Sequence, residues 1–175
     1  IFFKTQSNTQ EPPDLFIKKN SNKEGLVEIK TFTNSPSFDV SSWDAYLNLL
    51  FDKPYHIDAD YLIFEYKEDL NGFKIKKIYL RKIWQIIGET TSYKGTKNEI
   101  KWPISIQYKN NNISNIRPTF SELKKDEGYK KDRIKLLNDI QTTIDLYNKS
   151  DEKYKNDKWL TKVKANYKRY KGVEL

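Results

Sequence analysis

The 175-residue sequence contains no cysteine, no methionine and a single histidine. Without cysteine, the chain can form neither a disulfide framework nor a thiolate metal site, which fits a reducing cytoplasm. No apolar run approaches the roughly 20 residues that cross a bilayer, and no segment has the pattern of a secretory signal. Glycine-rich phosphate loops, His and Cys ligand clusters and nucleophile elbows are also missing. We therefore expect a cytoplasmic protein that uses neither a membrane nor a nucleotide cofactor. Because the sequence begins at Ile1 and lacks methionine, we also expect a longer natural chain.

Positive charge is in excess. The chain has 32 Lys and Arg against 24 Asp and Glu, a formal net charge of +8. Residues 128–171 hold 13 of these basic residues and only 6 acidic ones, so this segment carries most of the excess. Such a balance favours a polyanionic partner. The length and the 14% aromatic content suit one domain, 1–175, with 128–171 as a basic helical segment packed on it.

Hydrophobic periodicity predicts strands in the first two thirds of the chain and helices in the last third. A helix is expected between the cap residues Ser41 or Ser42 and the stop at Pro54, and a second one from Lys82 to Gly88. Polar residues 90–99 predict an exposed loop. The remaining predicted elements are strands at 15–17, 26–32, 61–66, 73–80, 102–108 and 113–117 and helices at 133–147 and 151–170. The fold class is α+β (mixed α/β), with a central mixed sheet of β-hairpins flanked by helices.

The segment 11–32, EPPDLFIKKNSNKEGLVEIKTF, places charged residues in two predicted strands around a turn. Alternation puts Glu28 and Lys30 on one face of the second strand, with Val27 and Ile29 toward the covered side. If the hairpin bends about Ser21, Asp14 falls opposite Glu28, with β-carbons about 4.5–5.5 Å apart.

Two carboxylates that close repel each other unless a cation lies between them. Mg²⁺ takes oxygen ligands from one or two carboxylates and keeps several waters. We therefore expect Asp14 and Glu28 to be the metal ligands. Lys30 beside them can supply positive charge to a nucleophilic water and to a reacting phosphate. Asp14, Glu28 and Lys30 are the predicted catalytic residues.

The pattern Pro13-Asp14, thirteen residues, then Glu28-Ile29-Lys30 resembles the PD-(D/E)xK nucleases. Residues 38–66, 82–88 and 102–118 further resemble type II restriction endonucleases of the NgoBV kind, so that the likeness spans 14–118. This resemblance implies a restriction-endonuclease-like core, Mg²⁺-dependent cleavage of double-stranded DNA at a short palindrome, a restriction-modification system, and a homodimer with one active site per strand. Many PD-(D/E)xK nucleases carry another acid upstream, for which Glu11 is the nearby candidate.

Three alternatives stay open. Glu and Lys two residues apart are also typical of the wet face of an exposed edge strand, which would make the chain a non-catalytic nucleic-acid-binding module. A repair or junction-resolving nuclease would use the same core but cut by DNA structure. For His56, Asp58 and Asp60 we expect structural roles, although each carries atoms that can bind a metal or a proton.

Two polar segments have residue types that reach phosphates and base edges. The predicted DNA-binding residues are Lys94, Lys97 and Asn98 in the first, and Gln107, Lys109 and Arg117 in the second. In the basic C-terminal helix we expect the aromatic residues in the core or at a dimer contact and the lysines toward water.

Overall fold

A computed structural model describes residues 4–5, 12–70, 72–94 and 98–175. Its strands are β1 (Lys4–Thr5), β2 (Leu15–Phe16), β3 (Leu26–Phe32), β4 (Ser41–Ser42), β5 (Asp60–Asp69), β6 (Gly72–Lys82), β7 (Thr90–Lys94), β8 (Asn98–Trp102), β9 (Ile106–Lys109) and β10 (Asn112–Ile116). Its helices are α1 (Trp43–Asp52), α2 (Phe120–Leu123), α3 (Arg133–Leu146) and α4 (Lys158–Lys171).

The central sheet has five strands in the order β1-β2-β3-β5-β6. β3 and β5 run parallel, whereas β2 with β3 and β5 with β6 are antiparallel, so the sheet is mixed. A three-stranded sheet, β4-β10-β9, and the ribbon β7-β8 complete the strands of the described ranges. The predicted α+β class with hairpins and flanking helices is confirmed.

One face of the central sheet packs on the core. Glu28 lies beside Tyr61 and Lys30 beside Ile63 in the parallel register, and both neighbours are buried in the main cluster with Tyr46 of α1. The Glu28 side is therefore the side that α1 covers. Of the two residues expected on the covered side, Val27 is buried, whereas Ile29 is only partly buried.

The opposite face of the sheet is apolar and partly open. Ile29 pairs with Leu62, which pairs in turn with Leu80 on β6. Leu80 and its neighbour Ile78 are exposed. Alternation alone did not predict which face is covered, because both faces of these strands carry apolar residues.

Two local predictions need correction. The predicted loop at 90–99 contains the ribbon β7-β8, with residues 95–97 outside the described ranges. The buried Trp102 anchors this ribbon by donating its indole N–H to Ser92 Oγ at 2.6 Å. The helix expected at Lys82 is only a 3-10 turn, Ile83–Gln85.

The C-terminal helices pack their aromatic side chains inward. Trp159 and Tyr167 of α4 are buried in the same cluster as the residues of α1 and α3, which confirms that these aromatics belong to the core. The lysines of α4 that point outward, such as Lys162 and Lys164, are exposed. No helix within the described ranges combines the length and the apolar character that a membrane crossing needs.

Candidate active site

The β2-β3 hairpin brings the first predicted carboxylate to the second. Leu15 pairs with Val27 and Phe16 with Leu26, which is the register predicted from a bend at Ser21. Continuing that register by one residue sets Asp14 opposite Glu28. The Oδ2 atom of Asp14 accepts a hydrogen bond from the Ile29 backbone N–H at 2.6 Å. Asp14 is thereby fixed to the strand that carries the other two predicted residues.

Glu28 and Lys30 share one face of β3, as predicted. Lys30 Nζ lies 2.8 Å from Glu28 Oε1. Glu28 is only 8% exposed, and β3 is an interior strand with neighbours on both sides. The structure therefore contradicts the alternative in which Glu28 and Lys30 decorate the wet face of an edge strand.

The buried carboxylate of Glu28 is incompletely satisfied. Its Oε2 atom has no hydrogen-bond partner within the described residues. Burial raises the pKa of Glu28, while the ion pair with Lys30 acts in the opposite direction and the charge of Asp14 adds to the rise. Tyr46 of α1, which also has a buried hydroxyl without a partner there, has its pKa raised by burial and by the charge of Glu28. An unsatisfied buried oxygen is costly, so its retention points to a ligand.

The three side chains line an open cleft of about 380 Å³. The opposite wall comes from the segment that leads into α1: Asp39, Val40, Ser41, Ser42 and Ala45. No sequence pattern pointed to Asp39, which precedes the predicted helix cap. The upstream candidate Glu11 lies outside the described residues.

Two of the predicted DNA-contacting residues, Gln107 and Arg117, are linked to Asp39 in the wall of this cleft, Arg117 directly and Gln107 through Asn115. Arg117 Nε lies 2.8 Å from Asp39 Oδ1, and Asn115 Nδ2 donates to Asp39 Oδ2 at 3.1 Å and to Gln107 Oε1 at 3.1 Å. Lys109 is exposed at the end of the same hairpin.

The first predicted DNA-contacting group falls largely outside the described residues. Lys97 lies outside the described residues, as do the side chains of Lys94 and Asn98, whose backbones pair at the end of the β7-β8 ribbon. These three residues remain a prediction.

The other titratable candidates have structural partners. Asp58 accepts hydrogen bonds from Arg133 and Tyr167, and Asp60 pairs with Lys82 at 2.7 Å. His56 is buried, and burial together with the charge of Lys53 lowers its pKa to about 4. These contacts agree with the structural roles expected for Asp58 and Asp60, and the burial of His56 agrees with the structural role expected for it.

Asp14 and Glu28 suit a divalent metal ion. The pair offers carboxylate oxygens in an open cleft, with one oxygen unpartnered, and magnesium-like ions bind through one or two carboxylates and fill their other positions with water. No group of three or more His, Cys, Asp or Glu side chains within the described ranges forms a fuller cage. The donor set of the described residues therefore fits a hard, partly hydrated cation.

Comparison with known proteins agrees with this geometry. Residues 1–175 match the family model described as NgoBV restriction endonuclease. The type II restriction enzyme NlaIV of Neisseria lactamica is 34% identical over 177 residues, 97% of this chain and 68% of that enzyme. The type II restriction enzyme NgoBV of Neisseria gonorrhoeae is 33% identical over 88 residues, 49% of this chain and 50% of that enzyme.

A solved structure also matches this chain. The NlaIV restriction endonuclease structure aligns with a TM-score of 0.76 and 31% identity, over 100% of this chain and 69% of that one. The predicted resemblance is confirmed. The chain therefore belongs to the NgoBV restriction endonuclease family of type II restriction endonucleases, which hydrolyse phosphodiester bonds of DNA.

Proposed function

We propose that this chain cleaves double-stranded DNA at a short palindromic sequence with Mg²⁺ held by Asp14 and Glu28 and with Lys30 assisting. The observation that carries the proposal is the buried Oε2 of Glu28, which has no partner among the described residues, in a cleft that Asp14 and Lys30 also line. A carboxylate kept in that state costs stability unless a cation uses it.

Each residue has a separate task. Asp14 is oriented by the Ile29 N–H through Oδ2, which leaves its other oxygen for a ligand. Glu28 is held rigidly by an interior strand, and Lys30 stands 2.8 Å from its Oε1. The Lys30 ammonium can turn from Glu28 to the attacking water or to the charge that develops on the phosphate. Bound there, Mg²⁺ would lower the pKa of a water and neutralise phosphate charge.

The residues 1–175 are proposed to act as a single nuclease domain with the basic segment 128–171 packed on it. The supporting observation is that α3 and α4 share one buried cluster with α1 and the central sheet. Calorimetric unfolding tests this: one cooperative transition is expected, and two separate transitions would contradict it.

We also propose a homodimer, since one cleft of this kind serves one strand of a duplex at a time. The exposed Phe73, Ile75, Ile78 and Leu80 on β6 give the chain an apolar surface of the kind that interfaces use. Sedimentation of the protein with and without DNA measures the assembly. A monomer that cuts both strands in one encounter would contradict the proposal.

The catalytic assignment is tested with Asp14→Asn, Glu28→Ala and Lys30→Met in a plasmid digest containing Mg²⁺. We expect each variant to lose cleavage while keeping its circular dichroism spectrum and much of its DNA binding in Ca²⁺. Glu24→Gln, a partly exposed acid of the same hairpin that pairs with Lys18 and Lys171 away from the cleft, is the matched control. Cleavage retained by Glu28→Ala would defeat the assignment. Discrete wild-type bands are expected, whereas structure-dependent nicking would favour a repair or junction nuclease.

A further inference from the structure

A second polar surface adjoins the active-site cleft on the three-stranded sheet β4-β10-β9. Its inner face packs Ile106, Ile113 and Ile116 into the core. In the register, Asn115 lies beside Gln107 on β9 and beside Ser42 on β4, so these side chains share the outer face. Ser42 also lines the cleft that contains Asp14 and Glu28. The outer face therefore continues directly into the catalytic cleft.

Hydrogen bonds hold the side chains of this face in fixed positions. Asp39 Oδ1 pairs with Arg117 Nε at 2.8 Å and its Oδ2 accepts from Asn115 Nδ2 at 3.1 Å. Gln107 Oε1 accepts from Asn115 at 3.1 Å and from Ser114 Oγ at 3.2 Å. The backbone of Arg117 is fixed as well, since its N–H donates to Ser105 O at 3.0 Å and its carbonyl accepts from Ser105 Oγ.

The network leaves a mixed set of polar groups without partners among the described residues. Asn115 Oδ1 remains as an acceptor, and Gln107 Nε2 and the two terminal amino groups of Arg117 remain as donors. Phosphate oxygens only accept hydrogen bonds, and a carboxylate such as Asp39 repels them. Base edges in the major groove present donors and acceptors together, and Arg, Asn and Gln are the side chains that read them. A surface with both kinds of group suits bases better than backbone.

We propose that Asp39, Gln107, Asn115 and Arg117 form a base-reading surface that determines the cleavage sequence next to the bond that is cut. Arg117, Asn115 and Gln107 contact base edges, and Asp39 is a positioning residue that holds Arg117 and Asn115. This inference rests on the proposed function in one respect: it takes the cleft of Asp14 and Glu28 as the place where the DNA is cut.

The test measures sequence discrimination. The wild-type cleavage site is first mapped by sequencing the ends of a digested plasmid. Duplex oligonucleotides carrying that site, and duplexes with each single base-pair change, are then cut by wild type, Asn115→Ala, Gln107→Ala and Asp39→Asn. The measured quantity is the ratio of kcat/KM on the mapped site to that on each changed site. Both duplexes are cut by the same preparation of each variant, so the fraction of that variant that is folded cancels from the ratio.

We expect the ratio to fall by about tenfold to a hundredfold at one or two base positions, the usual contribution of a good base contact. Asn138→Ala and Asp52→Asn, which change exposed residues of α3 and α1, should leave every ratio unchanged. A uniform loss on all duplexes, or ratios like those of the controls, would overturn the proposal. The catalytic assignment fails separately, if Glu28→Ala still cuts, because the ratio does not depend on which residues perform the chemistry.

Discussion

Replacing Glu28 with Gln should stabilise the metal-free protein while removing its activity. The side chain is almost completely buried, and one of its oxygens has no partner within the described residues. An unsatisfied buried polar atom costs about 1–3 kcal/mol, and more when it is charged. Gln keeps the shape and removes the buried charge together with its repulsion by Asp14, while its amide oxygen can still accept a hydrogen bond from Lys30. We expect a net gain of about 1 kcal/mol in the free energy of unfolding, or about 2–4 °C in Tm for a chain of this size.

Thermal unfolding in EDTA measures this gain directly. The matched control is Glu65→Gln on β5, because the Glu65 carboxylate is also largely buried but accepts a hydrogen bond from Tyr79 at 2.8 Å. The free energy of unfolding of this control should not rise. Added Mg²⁺ at ten times its Kd should stabilise the wild type by about 1.4 kcal/mol and so raise its Tm. The Tm of Glu28→Gln should not change. A Glu28→Gln variant that is less stable than the wild type in EDTA would refute the reasoning.

Two further predictions concern buried charges away from the cleft. Lys131 is buried and donates to Pro103 O at 2.6 Å and to Asp139, so Lys131→Ala should lower the free energy of unfolding in urea by about 3 kcal/mol. Lys130→Ala, at the exposed neighbouring position, should lower it by almost nothing. Equal effects of the two substitutions would contradict a buried pair. His56 has its pKa lowered from 6.5 to about 4 by burial, so the unfolded state binds a proton first and stability falls as the pH drops from 6.5 toward 4. The expected loss between pH 7 and pH 5 is about 2 kcal/mol, and His56→Gln should remove it; a variant that keeps the same pH dependence would show that other groups cause it.

The geometry of the hairpin that carries the proposed catalytic residues was predictable from sequence because it is local. Composition marks the turn around Ser21, and the two-residue period of a strand then fixes both the pairing of Asp14 with Glu28 and the common face of Glu28 and Lys30. The structure bears out this register through Leu15 and Val27. No contact distant in sequence was needed.

Features that depend on distant packing were not predictable. Whether Glu28 faces the core is decided by α1, whose buried Tyr46 lies close enough to feel the charge of Glu28. Asp39 gave no signal because its partner Arg117 is 78 residues away. In each case the determining contact joins segments whose proximity is a property of the whole fold.

A short part of the chain connects the proposed reading surface with Glu28. Residues 41 and 42 form β4, which pairs with β10 of the proposed reading surface. The next residue starts α1, and one turn later Tyr46 is buried beside Glu28, whose charge raises its pKa. A displacement of β10 on DNA would therefore reach Glu28, the proposed catalytic carboxylate, through packed secondary structure, without an intervening loop.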